Sequence, residues 1–233
     1  MKILSIGNSF SQDAQRYLHA IADANGKELM CVNLYIGGCT LREHYINLHD
    51  DEKAYDFELN GVRPHLKVSI KDVVKSNDWD YITLQQASHE SFMPERYSPY
   101  IEDISKWLKI RQRDSKILIH QTWAYPDNRE RVEKMGFKST EEMFSAVKST
   151  YKKAEKLINP DGVIKSGEAM AKAYRIWPDT LYRDEIHASL GLGRYLLGCV
   201  WYKAIFGENP EFHITKFDEP VSKENLQSIN DII

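Results

Sequence analysis

The chain has 233 residues, 42% hydrophobic and 28% charged, which fits one α/β domain spanning residues 1–233 rather than a fibrous or disordered protein. A formal net charge of −3 with no long basic block speaks against nucleic acid as a partner. No apolar run reaches the ~18 residues of a membrane span. Cys31, Cys39 and Cys199 are odd in number, widely spaced and match no zinc pattern, so they read as buried free thiols. Met1 leads straight into an apolar strand without a signal-peptide pattern. The expected location is therefore cytoplasmic, or periplasmic or secreted if a signal peptide has been removed.

Residues 2–6 read as a buried strand that runs into Gly7-Asn8-Ser9, with a helix directly after it. Ser11 is the expected cap of that helix. Ala14, Tyr17, Leu18, Ile21 and Ala22 form its inner stripe, and Asn25-Gly26 ends it. A second strand is expected over 28–36, closed by Gly37-Gly38, then a short helix over 41–49. Residues 53–70 alternate on either side of Asn60-Gly61 and predict a β-hairpin, an excursion from the main sheet. Tyr81-Ile82-Thr83-Leu84 is a strand ending in Gln85-Gln86. A helix over 98–112, a strand over 116–120 and a long polar loop over 121–138 follow, the loop carrying Trp123, Tyr125, Pro126 and Arg129. Then come a helix marked by Met143, Val147, Tyr151 and Ala154, a strand near 162–164, a helix near 168–175, and one after His187 that reaches Phe206. Strands alternating with helices imply a mainly parallel sheet covered on both faces, with ligands beyond the carboxyl ends of the strands. Ser9, Gly38, Gln85 and His120 or Gln121 all fall at such ends.

Ser9 is the candidate nucleophile. It sits where a helix begins and backbone N–H groups are free to face developing negative charge; its plain alternative is a helix cap. The first block matches neither a dinucleotide fingerprint, a phosphate-binding loop nor a Gly-x-Ser-x-Gly elbow. Asp184 and His187, three residues apart, supply what a serine nucleophile lacks: a base and a group to orient it. Gly38 is a candidate backbone donor to an oxyanion, and Gln85, with Gln86 as alternative, a candidate side-chain donor. Trp123, Tyr125 and His89 are candidate substrate contacts. His44 and His49 lie five apart rather than the four of a helical metal pair, so neither a metal nor a cofactor is expected. Glu168, one half of a possible carboxylate pair with Glu185, reads instead as a first-turn helix residue.

Gly7-Asn8-Ser9-Phe10-Ser11, Gly38 after the second strand, and Asp184-x-x-His187 before a late helix resemble the blocks of the SGNH (GDSL-type) hydrolases, in that family's order and over nearly the whole chain. The chain is most similar to a bacterial branch with Gly-Asn-Ser-Phe-Ser, Leu-Gln and Gln-Thr-Trp segments, the last being Gln121-Thr122-Trp123 here. The resemblance implies a flavodoxin-like α/β/α fold and metal-free ester hydrolysis. Ser9 would be the nucleophile, His187 the base, Asp184 its partner, and the Ser9 and Gly38 N–H groups the oxyanion donors. Two departures stand out. Asn8 replaces the aspartate of the first block, and no Asn occupies the third block, where Gln85 is expected to take over. The expected activity is a serine esterase removing acetyl or another small acyl group from a carbohydrate. The alternatives are a lipase or thioesterase for longer chains, and a non-catalytic carbohydrate-binding protein that keeps the fold.

Overall fold

The structure, a computed structural model, describes residues 1–127 and 130–233; Arg129 lies outside the described residues. In chain order the elements are β1 (Lys2–Gly7), α1 (Ser9–Gln15), α2 (Leu18–Ala24), β2 (Met30–Tyr35), α3 (Leu41–Asp50), β3 (Tyr55–Leu59), β4 (Lys67–Val68), α4 (Ile70–Ser76), β5 (Tyr81–Leu84), α5 (Tyr100–Arg111), β6 (Lys116–His120), α6 (Glu130–Lys134), α7 (Thr140–Ile158), β7 (Gly162–Ile164), α8 (Ser166–Tyr174), α9 (Leu192–Phe206) and α10 (Lys223–Ile232).

Among the described residues seven strands form one sheet in the order β4-β3-β2-β1-β5-β6-β7. β2, β1, β5, β6 and β7 run parallel, and only β3 and β4 are antiparallel. Taken alone, the parallel strands follow the doubly wound order 2-1-3-4-5. The expected hairpin is present, at the edge of the main sheet. β3 pairs with β2 from Val32–Leu59 to Tyr35–Asp56 and so extends the main sheet. The stretch expected to end its second strand at Ile70 instead begins α4, because Ser69 caps the Asp72 N–H.

Central strands bury both faces, as parallel strands under two helical layers must. Ile3, Leu4 and Ile6 of β1 and Ile117 and Ile119 of β6 are fully buried. α9 is apolar almost all round and packs against α1, α2, α8 and α10, while α3, α5 and α7 pack together. Cys31, Cys39 and Cys199 are free and buried. Among the described residues no helix is long and apolar enough to cross a membrane.

The strand order reverses between β1 and β5, so a crevice is expected where β1 hands over to α1 and β5 to the segment after it. Ser9 follows the end of β1 by two residues and Gln85 directly follows β5.

Candidate active site

Asn8, not Ser11, caps α1. Its Oδ1 accepts from the Phe10 N–H at 3.0 Å, and the Ser11 hydroxyl, one turn in, accepts from the Asn8 N–H at 3.1 Å. A Cβ at Gly7 would collide with that hydroxyl, so the tight strand-to-helix junction requires glycine. Ser9 is thereby the first helical residue, with its side chain free of capping duty.

His187 reaches Ser9 from the other end of the chain. Its Nε2 lies 2.9 Å from Ser9 Oγ, and its Nδ1 lies 2.8 Å from Asp184 Oδ2. With the ring proton on Nδ1, the imidazole donates to Asp184 and leaves Nε2 to accept the Ser9 hydroxyl proton. Asp184 Oδ1 accepts from the backbone N–H groups of Ile186 (2.8 Å) and His187 (2.7 Å). Burial pushes the Asp184 carboxyl up, but these N–H groups and the imidazole outweigh it and hold it below its ordinary value. Asp184 is a carboxylate at neutral pH.

The segment carrying this pair is not part of a helix; it is a loop, closed by a Tyr182–Ala188 bridge, that ends before α9. It is held from several sides. Arg183 Nη1 donates to Asp13 Oδ1 (3.0 Å) and Oδ2 (2.9 Å), and Arg194 Nε donates to Asp13 Oδ1 at 2.8 Å. Asp13 is fully buried in α1, one turn beyond Ser9, so one short helix carries both the serine and the anchor of the histidine loop. The Trp123 indole N–H donates to the Ile186 carbonyl at 2.9 Å, and the Tyr182 hydroxyl to the Ala124 carbonyl at 2.8 Å.

Trp123 was expected to touch substrate. It is 0% exposed and stacks on Phe10 with ring centroids 3.9 Å apart, so it braces the loop from behind. Tyr125 and His89 do line the cavity in front of Ser9, with Tyr35, Gly38, Ser88, Arg131 and His187; its volume is about 260 Å³. The Tyr125 hydroxyl is 2.9 Å from Ser88 Oγ, and burial pushes its phenol up. Gly38 has φ +65°, a left-handed turn residue whose backbone faces this cavity.

Neither glutamine lines the cavity, which corrects the expected donor. Gln85 is buried, and its Nε2 donates to Asn8 Oδ1 at 2.6 Å. Its Oε1 lies 2.7 Å from His120 Nδ1, and His120 Nε2 lies 3.0 Å from Ser166 Oγ. His120 is a neutral member of this chain; burial pushes its imidazole down to about 3. Gln86 Oε1 accepts from the Leu41 and Ala87 N–H groups, and its Nε2 donates to the Arg96 carbonyl. Both amides are consumed in tying strand ends together. Asn8 explains part of the pattern: while its Oδ1 accepts from Gln85, its Nδ2 donates to the Cys39 carbonyl at 3.1 Å. An aspartate cannot make that donation. Asn8 thus joins the Ser9 helix to the Gly38 turn.

Residue types alone did not single out Ser88, Asp13 or Arg131. Arg131 falls in the predicted loop 121–138. His44 is buried against Tyr55 and Cys39 rather than exposed, and Glu168 stands in the first turn of α8 beside Lys148. Among the described residues no group of three or more His, Cys, Asp or Glu could hold a metal ion.

Comparison with solved structures places this geometry in context. A DUF4886 family protein from Bacteroides uniformis is 29% identical, with a TM-score of 0.92 over 100% of this chain and 92% of that one. A candidate SGNH hydrolase from Slackia heliotrinireducens is 21% identical, with a TM-score of 0.65 over 88% and 98%. A family 3 carbohydrate esterase from Clostridium thermocellum is 10% identical, with a TM-score of 0.54 over 87% and 94%. The fold is therefore SGNH-like. No curated protein matches the chain. The profile of DUF4886, a domain of unknown function, matches residues 2–228, and the chain belongs to that family.

Proposed function

We propose that the protein is a serine ester hydrolase that removes acetyl or a similarly small acyl group from a carbohydrate. The observation that carries this reading is the continuous chain from Ser9 Oγ through His187 to Asp184, opening on a cavity that also receives Gly38. Ser9 Oγ attacks the ester carbonyl carbon while His187 Nε2 takes its proton. Asp184 stabilises the resulting imidazolium. The oxyanion forms against the N–H groups of Ser9, at the start of α1, and Gly38, in its left-handed turn. Collapse breaks the ester C–O bond, and the alcohol leaves with the proton from His187. Water then attacks the acyl-serine, gives a proton to His187, and releases the acid as Ser9 regains its proton.

The cavity of about 260 Å³ lies below the roughly 300–1,000 Å³ of drug-sized ligand sites, which favours a short acyl group over a lipase substrate. A second, polar cavity of about 350 Å³ shares Gly38 and His89 with it and gives a hydroxyl-rich alcohol room to extend. The carbohydrate esterase from Clostridium thermocellum shares the fold and supports the sugar as leaving group by analogy.

Hydrolysis of p-nitrophenyl acetate should fall by about 10³-fold or more in Ser9→Ala, and esters from C2 to C12 should decline with length. Equal turnover by wild type and Ser9→Ala would overturn the nucleophile. One observation favours a silent, sugar-binding protein instead: both third-block glutamines are engaged away from the cavity. Labelling of Ser9 by a fluorophosphonate decides between them, since a silent site leaves the serine unlabelled.

A further inference from the structure

Arg131 stands in α6 at the rim of the predicted loop and lines the same small cavity as Ser9 and His187. Its Nε is shut off from solvent and has no hydrogen-bond partner among the described residues. Among the described residues no acidic side chain forms an ion pair with it; the Glu130 carboxylate on its own helix is taken by Lys134 at 2.8 Å. Among the described residues no Asp or Glu lines the cavity. The neighbouring Tyr125 hydroxyl lies 2.9 Å from Ser88 Oγ and also faces the Arg131 guanidinium, so this wall presents a guanidinium and two hydroxyls with no anion to meet them among the described residues. A guanidinium keeps its charge at any physiological pH, and its donors fit the two oxygens of a carboxylate. Arg131 is half-buried, and with no carboxylate beside it among the described residues its guanidinium is free to take an anion brought by a ligand.

We infer that Arg131 selects the substrate by binding a carboxylate carried next to the scissile ester. The turnover part of this inference rests on the esterase reading; the binding part does not. The carboxylate has two possible sources: the acyl group, as in a dicarboxylic half-ester, or the alcohol, as in an acetylated uronic acid.

Matched ester pairs separate these sources. p-Nitrophenyl butyrate against p-nitrophenyl hemisuccinate places the charge on the acyl side. Methyl glucoside acetate against the acetate of methyl glucuronate places it on the alcohol side. In one pair the wild type should favour the charged member by about tenfold or more in kcat/KM, the scale of a charge-assisted hydrogen bond. Arg131→Gln should erase that ratio and Arg131→Lys should restore part of it. The inference fails if the wild type treats both pairs alike within about twofold, a result that needs no variant to fold. It also fails if Arg131→Gln keeps the preference or slows charged and neutral esters equally.

A binding arm works without catalysis. Calorimetric titration of the Ser9→Ala protein with succinate and with methyl glucuronate should show one of them binding, and adding Arg131→Gln should abolish it. Arg131-dependent binding without any ester turnover would sink the esterase and leave this inference standing. Turnover with neither carboxylate bound nor preferred would do the reverse.

Discussion

Asp13 offers the sharpest test of how the site is assembled. Its carboxylate is fully buried and receives three N–H···O contacts of 2.8–3.0 Å from Arg183 and Arg194. Asp13→Asn keeps the shape but removes the charge and turns an NH2 toward one guanidinium. Breaking a buried ion pair by removing one partner typically costs about 3–5 kcal/mol. For a chain of this size that is a fall in melting temperature of roughly 6–20 °C. Arg194 retains Asp218 at 3.0 Å, so the larger disturbance is at Arg183. Its Nε already lies 3.9 Å from Asp184 Oδ2. Released from Asp13, it competes with His187 for that carboxylate. Turnover should therefore fall by about 10–100-fold even at temperatures where the variant is fully folded, since a misplacement of ~1 Å can cost ~10² in rate. The assay pairs thermal melts with p-nitrophenyl acetate kinetics at 15 °C. Melting within 2 °C of wild type would refute the anchoring argument; a large melting shift with unchanged kcat would refute the link from anchor to chemistry.

Asn8→Asp should lower stability by about 1–3 kcal/mol, because the Cys39 carbonyl loses its buried donor. It should also slow turnover by about tenfold as the Gly38 turn loosens, and unchanged urea unfolding and kcat would contradict the role given to Asn8. Acid should destabilise the fold through His120 and His44, whose imidazoles burial pushes down to about 3. Unfolded histidines take up protons below about 6.5, and these two resist until about 3 when folded. Their stabilising contribution is thus whole above pH 6.5 and lost on descent toward 3, reaching about 2 kcal/mol each at pH 5. Melting curves that coincide at pH 7 and pH 5 would rule this out.

The order of elements and the two halves of the proposed catalytic chain were legible in the sequence because both are local. The apolar run before Gly7, the glycine pair after Tyr35 and the Asp184–His187 spacing each express backbone constraints acting over a few residues. Two local signals misled. Ser11 looked like the cap of α1, yet Asn8 is the cap and Ser11 its capping-box partner, a choice between neighbours that depends on Asn33 and Gln85 beyond the helix. Ile70 looked like the end of a strand, but Ser69 begins a helix there.

Only the tertiary structure decided what the long polar side chains do. An amide at a strand end is equally suited to an oxyanion or to a buried network. Gln85 is drawn into the network by Asn8, 77 residues earlier, and His120, 35 residues later. Trp123 had the residue type of a sugar platform, but stacking on Phe10 and the Ile186 carbonyl turn it inward. Arg131 carries no signal of its own in a charged segment; what distinguishes it is that among the described residues no carboxylate pairs with it. By itself the sequence determined where the chain turns and which residues stand at the turns, since those follow from backbone sterics and short-range capping. Which way the side chains face, and which charges meet, follows from contacts between segments tens to nearly two hundred residues apart, and exists only once the sheet and its two helical layers have closed.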